Sequence, residues 1–188
     1  MSIEQEKDNL DIATDEQKES IQFLEQLKIG PAQKAELILV VLGLKPAAEV
    51  VIFPWNDLPE KVVATIEKTS LLVHEKPKNQ ASSGKVVATY AVARDAETLQ
   101  QLLQTDPAKD HEAYGRLMGF PTSAVEAFLN KTTLKTDEDD LERRGIIFGM
   151  KLSRDNTKEE LRLLEYWSQL IKKYAPATYR SLGGKIEK

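Results

Sequence analysis

The sequence predicts an α+β fold, a small mixed or antiparallel sheet of about four strands packed with several helices. Short β-branched segments at 50–54, 71–75 and 85–94 are typical of strands. Segments with apolar residues at helical spacing lie between and after them. The longest of these, 157–174, predicts a long amphipathic helix near the C-terminus. Strands and helices are mixed along the chain, and two strands are expected to pair as a hairpin, which favours α+β.

The composition is that of an ordinary globular protein of 188 residues, with 41% hydrophobic and 30% charged residues. The chain has no cysteine, which excludes disulfides, thiolate metal sites and cysteine nucleophiles. The first 20 residues carry a net charge of −5 and the whole chain −4, so the remainder is nearly neutral. A nearly neutral body disfavours nucleic acid as a partner.

Three regions are expected: a disordered acidic tail at 1–13, one α+β domain at 14–183 and a polar tail at 184–188. No apolar run approaches the ~20 residues that span a bilayer, and the polar N-terminus is unlike a signal peptide. Together with the missing cysteines, this predicts a cytoplasmic protein that makes no use of a membrane.

The first helix is predicted from Thr14 and Gln17, which have the spacing of a capping box, and Gly30 is expected to end it. Pro31 suits the first turn of a second helix, which is apolar on nearly every side towards its end. That pattern predicts a buried helix.

The central elements are predicted from strand and capping signals. Asp57 with Glu60 predicts a cap for the helix after the first strand. The strands at 71–75 and 85–94 predict a hairpin across a long loop, and Asp95 predicts the cap of the next helix.

The second half begins with an Asp-Pro pair at 106–107, which predicts the start of a helix that ends at Gly119. A short helix at 122–130 follows, then an acidic connector at 136–144 and a fourth strand at 145–153. For the long helix, Thr157 with Glu160 predicts a capping box. Its buried stripe is predicted to hold Leu163, Trp167, Leu170 and Tyr174, with Tyr166 offset and exposed and Pro176 ending the helix.

The stretch GRLMGFPTSAVEAFL, residues 115–129, predicts a tight helix–helix corner with three interpretations. The first is structural. Gly119 takes positive φ, Ser123 caps the second helix with Glu126 returning the bond, and the apolar residues pack inward, namely Val125, Phe128 and Leu129.

The second interpretation is a DNA-binding helix-turn-helix. The second helix would present Thr122, Ser123, Glu126, Asn130 and Lys131. It contains no arginine, and Glu126 repels phosphate, which disfavours this interpretation.

The third interpretation is a ligand site, because a helix N-terminus presents free N–H groups and partial positive charge to an anion. Arg116 could hold the anion, with His111 as an acid or base. The candidate binding residues are His111, Tyr114, Arg116, Phe120, Thr122 and Ser123.

The stretch GRLMGFPTSAVEAF also resembles an element, G-R-L-x-G-Y-P-x-C-C-V-x-x-F, of an uncharacterised prokaryotic and largely archaeal protein family. In that family a C-S-x-x-C element precedes a C-terminal amphipathic helix, and LSRDN at 152–156 is similar in placement. The family's cysteines would fall on Ser123, Ala124, Leu152 and Asn156, so its thiol chemistry does not transfer. The resemblance implies a retained scaffold, and with it binding or assembly.

Other chemistry is not indicated. His74 and His111 lack ligand spacing, and the chain has no P-loop or G-x-S-x-G element, so no metal, cofactor or catalytic residue is predicted. His74 is expected at a surface or strand edge, and Trp55 is a candidate exposed partner contact.

These observations favour a non-catalytic binding or assembly module, whose partner is a second copy, another protein or a small anionic ligand. The alternative is an enzyme that acts on a small anionic compound at the 111–123 corner. A helix-turn-helix regulator is third. Whether the protein is an enzyme stays open, with the balance against it.

Overall fold

The computed structural model describes residues 10–76, 88–134, 141, 145–148 and 151–184, and confirms the α+β class. Within these ranges the helices are α1 (Asp15–Glu25), α2 (Pro31–Val41), α3 (Pro59–Glu67), α4 (Ala96–Gln104), α5 (His111–Leu117), α6 (Thr122–Leu129), α7 (Thr157–Tyr174) and α8 (Pro176–Ser181). The strands are β1 (Ala47–Ile52), β2 (Leu72–Glu75), β3 (Ala88–Ala93), β4 (Thr133–Leu134) and β5 (Leu152–Ser153).

The larger sheet has three antiparallel strands in the order β1-β3-β2. The predicted hairpin is confirmed, because Leu72 lies opposite Ala93 and Glu75 opposite Tyr90. β1 pairs along the other side of β3, with Ala47 opposite Ala93. The central strand is the most buried, while His74 is exposed on the edge strand β2, as predicted.

Both faces of this sheet are covered. One face packs on the main core, to which α1, α2, α7 and α8 contribute. α2 is buried on nearly all sides, as its apolar sequence predicts. The other face carries small residues, and this lets α4 lie close to it and side chains of α5 pack beside α4. The second cluster consists of Ala47, Ala91, Ala93, Leu102 and Met118.

The predicted fourth strand is mostly wrong. Residues 145–148 are not in a strand, 149–150 lie outside the described residues, and only Leu152–Ser153 forms β5. β5 pairs with β4, which the sequence analysis did not predict, in a separate two-stranded sheet. The acidic connector at 136–144 lies outside the described residues, except Leu141, which packs on the main core.

The predicted helix caps are confirmed where the capping side chain and its backbone partner are three residues apart and the side chain is not bonded to a distant part of the described chain. Thr14 and Gln17 form the predicted capping box, and Asp95 accepts a hydrogen bond from the Thr98 N–H at 2.8 Å. Pro31 occupies the first turn of α2. Gly30 was expected to end α1, but α1 ends at Glu25 and Gly30 is the N-cap of α2.

Three other predicted starts are wrong. Leu58 is the N-cap of α3, and the Asp57 carboxylate instead accepts from the Lys28 N–H at 2.7 Å. α5 begins at His111 behind an Asp110 cap, because the Asp-Pro pair at 106–107 forms a turn. At α7 the Thr157 hydroxyl donates to the Ser153 carbonyl, so the predicted box with Glu160 does not form.

Two expectations about exposure also change. Tyr166 was predicted to be exposed on α7, but it is buried in the main core, because neighbouring elements cover a wider arc of the helix than the predicted stripe. Trp55 is exposed as predicted and stacks on Phe53, with ring centroids 4.9 Å apart.

The described part of the predicted N-terminal tail is held against the domain. The Tyr174 hydroxyl donates to the Leu10 carbonyl at 2.7 Å and accepts from the N–H groups of Ile12 and Ala13. Ala13 is buried. Residues 1–9 and 185–188 lie outside the described residues, and Gly184 follows the C-terminal end of α8. No described helix combines the length and apolar character needed to cross a bilayer.

Candidate functional site

The corner between α5 and α6 is built on a glycine turn. Gly119 has a φ of +72°, the left-handed region that glycine adopts without steric cost. Its N–H donates to the Arg116 carbonyl, and the Phe120 N–H donates to the Gly115 carbonyl, each at 3.0 Å. These two bonds form a Schellman motif, which ends α5 and turns the chain into α6.

The two helices approach closely because Gly115 has no side chain. A Cβ atom at Gly115 would lie 2.8 Å from Cγ2 of Val125, closer than real Cβ atoms come. The pair therefore sets a short separation between α5 and α6.

The corner rests on the loop between α2 and β1. A Cβ atom at Gly119 would lie 3.1 Å from both Lys45 Cγ and Pro46 Cδ. The Lys45 side chain is fully buried, and its ammonium pairs with the Glu36 carboxylate. Lys45 Nζ lies 5.1 Å from the Phe120 ring centroid and 5.5 Å from that of Trp167.

Among the described residues, Lys45 is thus a buried cation with one carboxylate partner and two aromatic ring faces. Burial lowers the pKa of Lys45, and the Glu36 carboxylate opposes that shift only in part. The lysine therefore gives up its proton more easily than an exposed lysine.

A second polar group holds α5 against the sheet. Burial, and then the Glu49 carboxylate of β1, raise the pKa of Tyr114 well above its ordinary value. The Glu49 carboxylate also pairs with Lys76 at 2.5 Å. Tyr114 is partly buried and is one of the residues that line the corner.

A cavity of about 340 Å³ opens between α5 and α6, and we call it the corner cavity. Its floor is made by small and aliphatic residues where the helices meet, including Gly115, Ala124 and Val125. Its walls are aromatic rings, namely Tyr114, Phe120 and Phe128. The cavity is therefore mainly apolar.

The mouth of the corner cavity carries two nitrogen groups. His111 packs edge to face on Phe128, with ring centroids 5.4 Å apart. Lys151 places its ammonium 4.9 Å from the centroid of the same ring. Both residues are exposed, so the mouth combines an apolar ring with a cation and an imidazole.

Arg116 does not join this site, contrary to the predicted ligand corner. It pairs with Glu112 at 2.7 Å on the same helix and is more than half exposed. It lines a different, more polar groove of about 690 Å³ together with Thr98 and Asp110. Positions 111 and 116 therefore line different openings, and the structure does not bring Arg116 and His111 together at one pocket.

Ser123 and Thr122 also lie apart from the cavity lining. Thr122 is exposed at the start of α6, where Pro121 is the N-cap. The Ser123 hydroxyl donates to the Glu160 carboxylate at 2.5 Å rather than forming the predicted box with Glu126. Glu160 is buried and also accepts from the N–H and hydroxyl of Ser153, each at 2.7 Å. This cluster ties α6 and β5 to α7.

The predicted inward packing of α6 is only partly correct. Val125 is buried, but Phe128 is 41% and Leu129 42% exposed. Together with Phe120, which is 36% exposed, they form an exposed apolar rim, of which Phe120 and Phe128 line the corner cavity. The DNA-binding interpretation of α6 stays a prediction.

Of the candidate residues, His111, Tyr114 and Phe120 come together at the cavity, and Lys151 and Phe128 complete it. Lys151 could not be found by spacing, because it reaches the corner from a distant segment. Lys45 did carry a signal: it is the only charged residue between Glu36 and Glu49, in an otherwise apolar run. A lone lysine there predicts a buried cation with a specific partner.

The fold and the site define an α+β protein with an apolar, ring-walled cavity at a helix corner. The residues that the structure describes contain no cluster of His, Asp and Glu side chains suited to a metal ion. Comparisons with protein families, curated proteins and solved structures found no match to the chain.

Proposed function

We propose that the protein is a non-catalytic binding module, and that its ligand is a small, flat, apolar compound with an anionic group. The observation that carries this proposal is the corner cavity, with its ring walls and the Lys151 ammonium at its mouth. Its volume of about 340 Å³ is at the lower end of the range for ligand pockets.

The binding mode follows from the wall chemistry. The ligand body lies between the Phe120 and Phe128 rings, where offset or edge-to-face contacts add to the burial of apolar area. Its anionic group faces the Lys151 ammonium and the His111 imidazole at the mouth. Benzoate has this combination of ring and charge, and benzamide is its neutral counterpart of similar shape.

Isothermal titration calorimetry with benzoate and benzamide tests the proposal. We expect both to bind and benzoate to bind about tenfold more tightly, which corresponds to about 1.4 kcal/mol. Lys151→Met should remove that preference and leave benzamide binding unchanged. Ala124→Leu, which fills the floor, should weaken both.

Arg116→Met is the matched control. Arg116 is a cation on α5, one of the two helices that form the corner cavity, but it lines the other groove. The variant should leave both affinities unchanged. If neither compound binds at millimolar concentration, or if Arg116→Met and Lys151→Met have the same effect, the proposed site is wrong.

The exposed rim favours assembly as a second candidate function. Phe120, Phe128 and Leu129 offer an apolar surface of the kind that a second copy covers in a dimer. Light scattering over a range of concentrations tests this candidate. A dimer that Leu129→Glu dissociates supports it, and a monomer at high concentration contradicts it.

A further inference from the structure

The amine of Lys45 lies directly behind one wall of the corner cavity. Phe120 lines the cavity, and the same ring covers Lys45 Nζ at 5.1 Å from its centroid. The amine itself has no exposed side-chain surface. Phe120 therefore touches both the cavity and the amine, whereas Lys45 itself does not line the cavity.

Phe120 is placed so that it can uncover the amine. It lies in the short connection between α5 and α6, outside both helices, and its side chain is partly exposed. The Phe120 backbone is held by its bond to Gly115, so a rotation about χ1 moves the ring without moving the helices. Such rotations of partly exposed side chains are fast compared with most chemical steps.

The surroundings of Lys45 favour nucleophilic chemistry. Desolvation makes the neutral, nucleophilic form of the amine more accessible than at an exposed lysine. Glu36, the charged group that faces the amine, is partly open to solvent and can accept and return a proton. A carboxyl group beside an amine provides the acid–base pair that condensation with a carbonyl requires.

We propose that Lys45 forms an imine with an apolar aldehyde that is held in the corner cavity, when the Phe120 ring turns aside. The inference rests on the proposed function, because the aldehyde enters through the same cavity. It extends that function from reversible contact to a reversible covalent bond.

The step balances without a further reactant. The Lys45 ammonium passes a proton to Glu36, and the neutral nitrogen forms a bond to the carbonyl carbon. The carbonyl oxygen takes one proton from the attacking nitrogen and the other from Glu36 as the carbon–oxygen bonds break in turn, and it leaves as one water molecule. The nitrogen keeps one proton, so the product is the protonated imine, a cation that the ring face of Trp167 stabilises as it does the ammonium.

Reductive trapping tests the proposal. The full chain is incubated at neutral pH with benzaldehyde and sodium cyanoborohydride, and the labelled lysines are located by peptide mass spectrometry. Exposed lysines, with pKa values near ~10.4, are almost fully protonated there. We expect Lys45 to be labelled ahead of the exposed lysines. The N-terminal amine, with a pKa near ~8, is also labelled and is distinguished by its peptide.

Two variants separate the mechanism from accidental labelling. Phe120→Ala uncovers the amine and should speed the labelling of Lys45 several-fold, and Phe120→Leu serves where the alanine variant does not fold. Phe128→Ala removes a ring from the other wall and should not speed it. Excess benzamide should slow labelling at Lys45 and leave the N-terminal amine unaffected.

The proposal is overturned if Lys45 stays unlabelled in the wild type and in both Phe120 variants. It is also overturned if benzamide binds yet does not slow labelling, because the amine then reacts by local unfolding. Loss of benzamide binding itself would count against the proposed function, so the two failures are distinguishable.

Discussion

At the scale of single residues, the charged side chains of the core differ in how they are satisfied. Glu160 accepts three hydrogen bonds from Ser123 and Ser153, which replace its lost hydration. Lys45 has one carboxylate and two ring faces, and the carboxylate is itself partly solvated. Removing Glu36 and removing Lys45 should therefore destabilise the protein by different amounts.

We predict that Glu36→Ala destabilises the protein by about 3 kcal/mol, because it leaves a buried ammonium unpaired. Lys45→Met should cost less than about 1 kcal/mol, because the remaining Glu36 carboxylate reaches water and the methionine refills the site. Urea unfolding of the two variants measures both values. Equal losses of unfolding free energy would contradict the difference in burial between Lys45 and Glu36.

The pH dependence of the same pair has a definite sign. The folded pKa of Lys45 lies below its unfolded value of 10.5, so the unfolded chain binds more protons between the two values. The contribution of Lys45 to stability is therefore complete above pH ~10.5 and is lost as the pH falls through the folded pKa. We expect the stability of the wild type relative to Lys45→Met to rise with pH between the folded pKa of Lys45 and ~10.5, and a difference that stays flat up to ~10.5 would contradict the lowered pKa.

At the scale of elements, the helix ends show one recurring motif with one exception. α2, α5 and α8 end in Schellman bonds with a glycine of positive φ at position 43, 119 or 183. α6 ends with the same pair of bonds, but the left-handed residue is Lys131, with a φ of +57°. A side chain at that position carries a steric cost of about 1 kcal/mol.

We predict that Lys131→Gly stabilises the protein by about 0.5–1 kcal/mol, because glycine adopts the left-handed conformation without that cost. Gly119→Ala is the reciprocal change. It should destabilise by about 2 kcal/mol, since it adds the same cost and crowds Lys45 and Pro46. Gly30→Ala, where φ is negative and the nearest atom lies at 3.5 Å, is the tolerated control. Urea midpoints in the reverse order would contradict the motif.

The element scale also shows what local sequence can predict. The cap of α1 and that of α4 were predictable because donor and acceptor are three residues apart and nothing competes for them. The predicted boxes at Ser123 and Thr157 failed because Glu160 is taken by Ser123, 37 positions away, and by Ser153. A capping pattern in sequence does not show which tertiary partner competes for the carboxylate.

At the scale of the whole molecule, residues 10–13 are joined by hydrogen bonds to the end of α7. The Tyr174 hydroxyl, at the end of α7, holds residues 10–13 by bonds to Leu10, Ile12 and Ala13. These bonds span more than 160 positions, so they cost loop-closure entropy that only the assembled core offsets.

We predict that Tyr174→Phe releases residues 10–13, with faster amide hydrogen exchange there and a loss of about 1–2 kcal/mol of stability. The ring stays, so exchange in α7 should not change. Tyr179→Phe is the matched control, because its hydroxyl bonds only to the Gly145 carbonyl, at 3.3 Å, among the described residues. Unchanged exchange at 10–13 in Tyr174→Phe would contradict the prediction and would mean that apolar contacts, or the bonds of the Lys173 ammonium to Leu10 and Asp11, hold the segment.

The corner cavity shows the limit of sequence reasoning at this scale. The helix corner, its glycine turn and three of its candidate residues, His111, Tyr114 and Phe120, follow from one local stretch. Lys151 and Lys45 join it from segments on either side, and their arrival depends on how β5 and the α2–β1 loop pack. That packing is not encoded in spacing. Arg116 differs, because its partner Glu112 lies four residues earlier on the same helix, a spacing that is visible in the sequence.

The burial of α2 has a consequence for synthesis on the ribosome. The second half of this helix, residues 37–41, is apolar on every side, and α8, near the C-terminal end of the described chain, is among the elements that pack on the helix. Until α8 emerges from the exit tunnel, the nascent protein presents this apolar segment incompletely covered. Chains stalled before residue 176 should accordingly be captured by chaperones that recognise apolar segments, whereas finished chains should escape them.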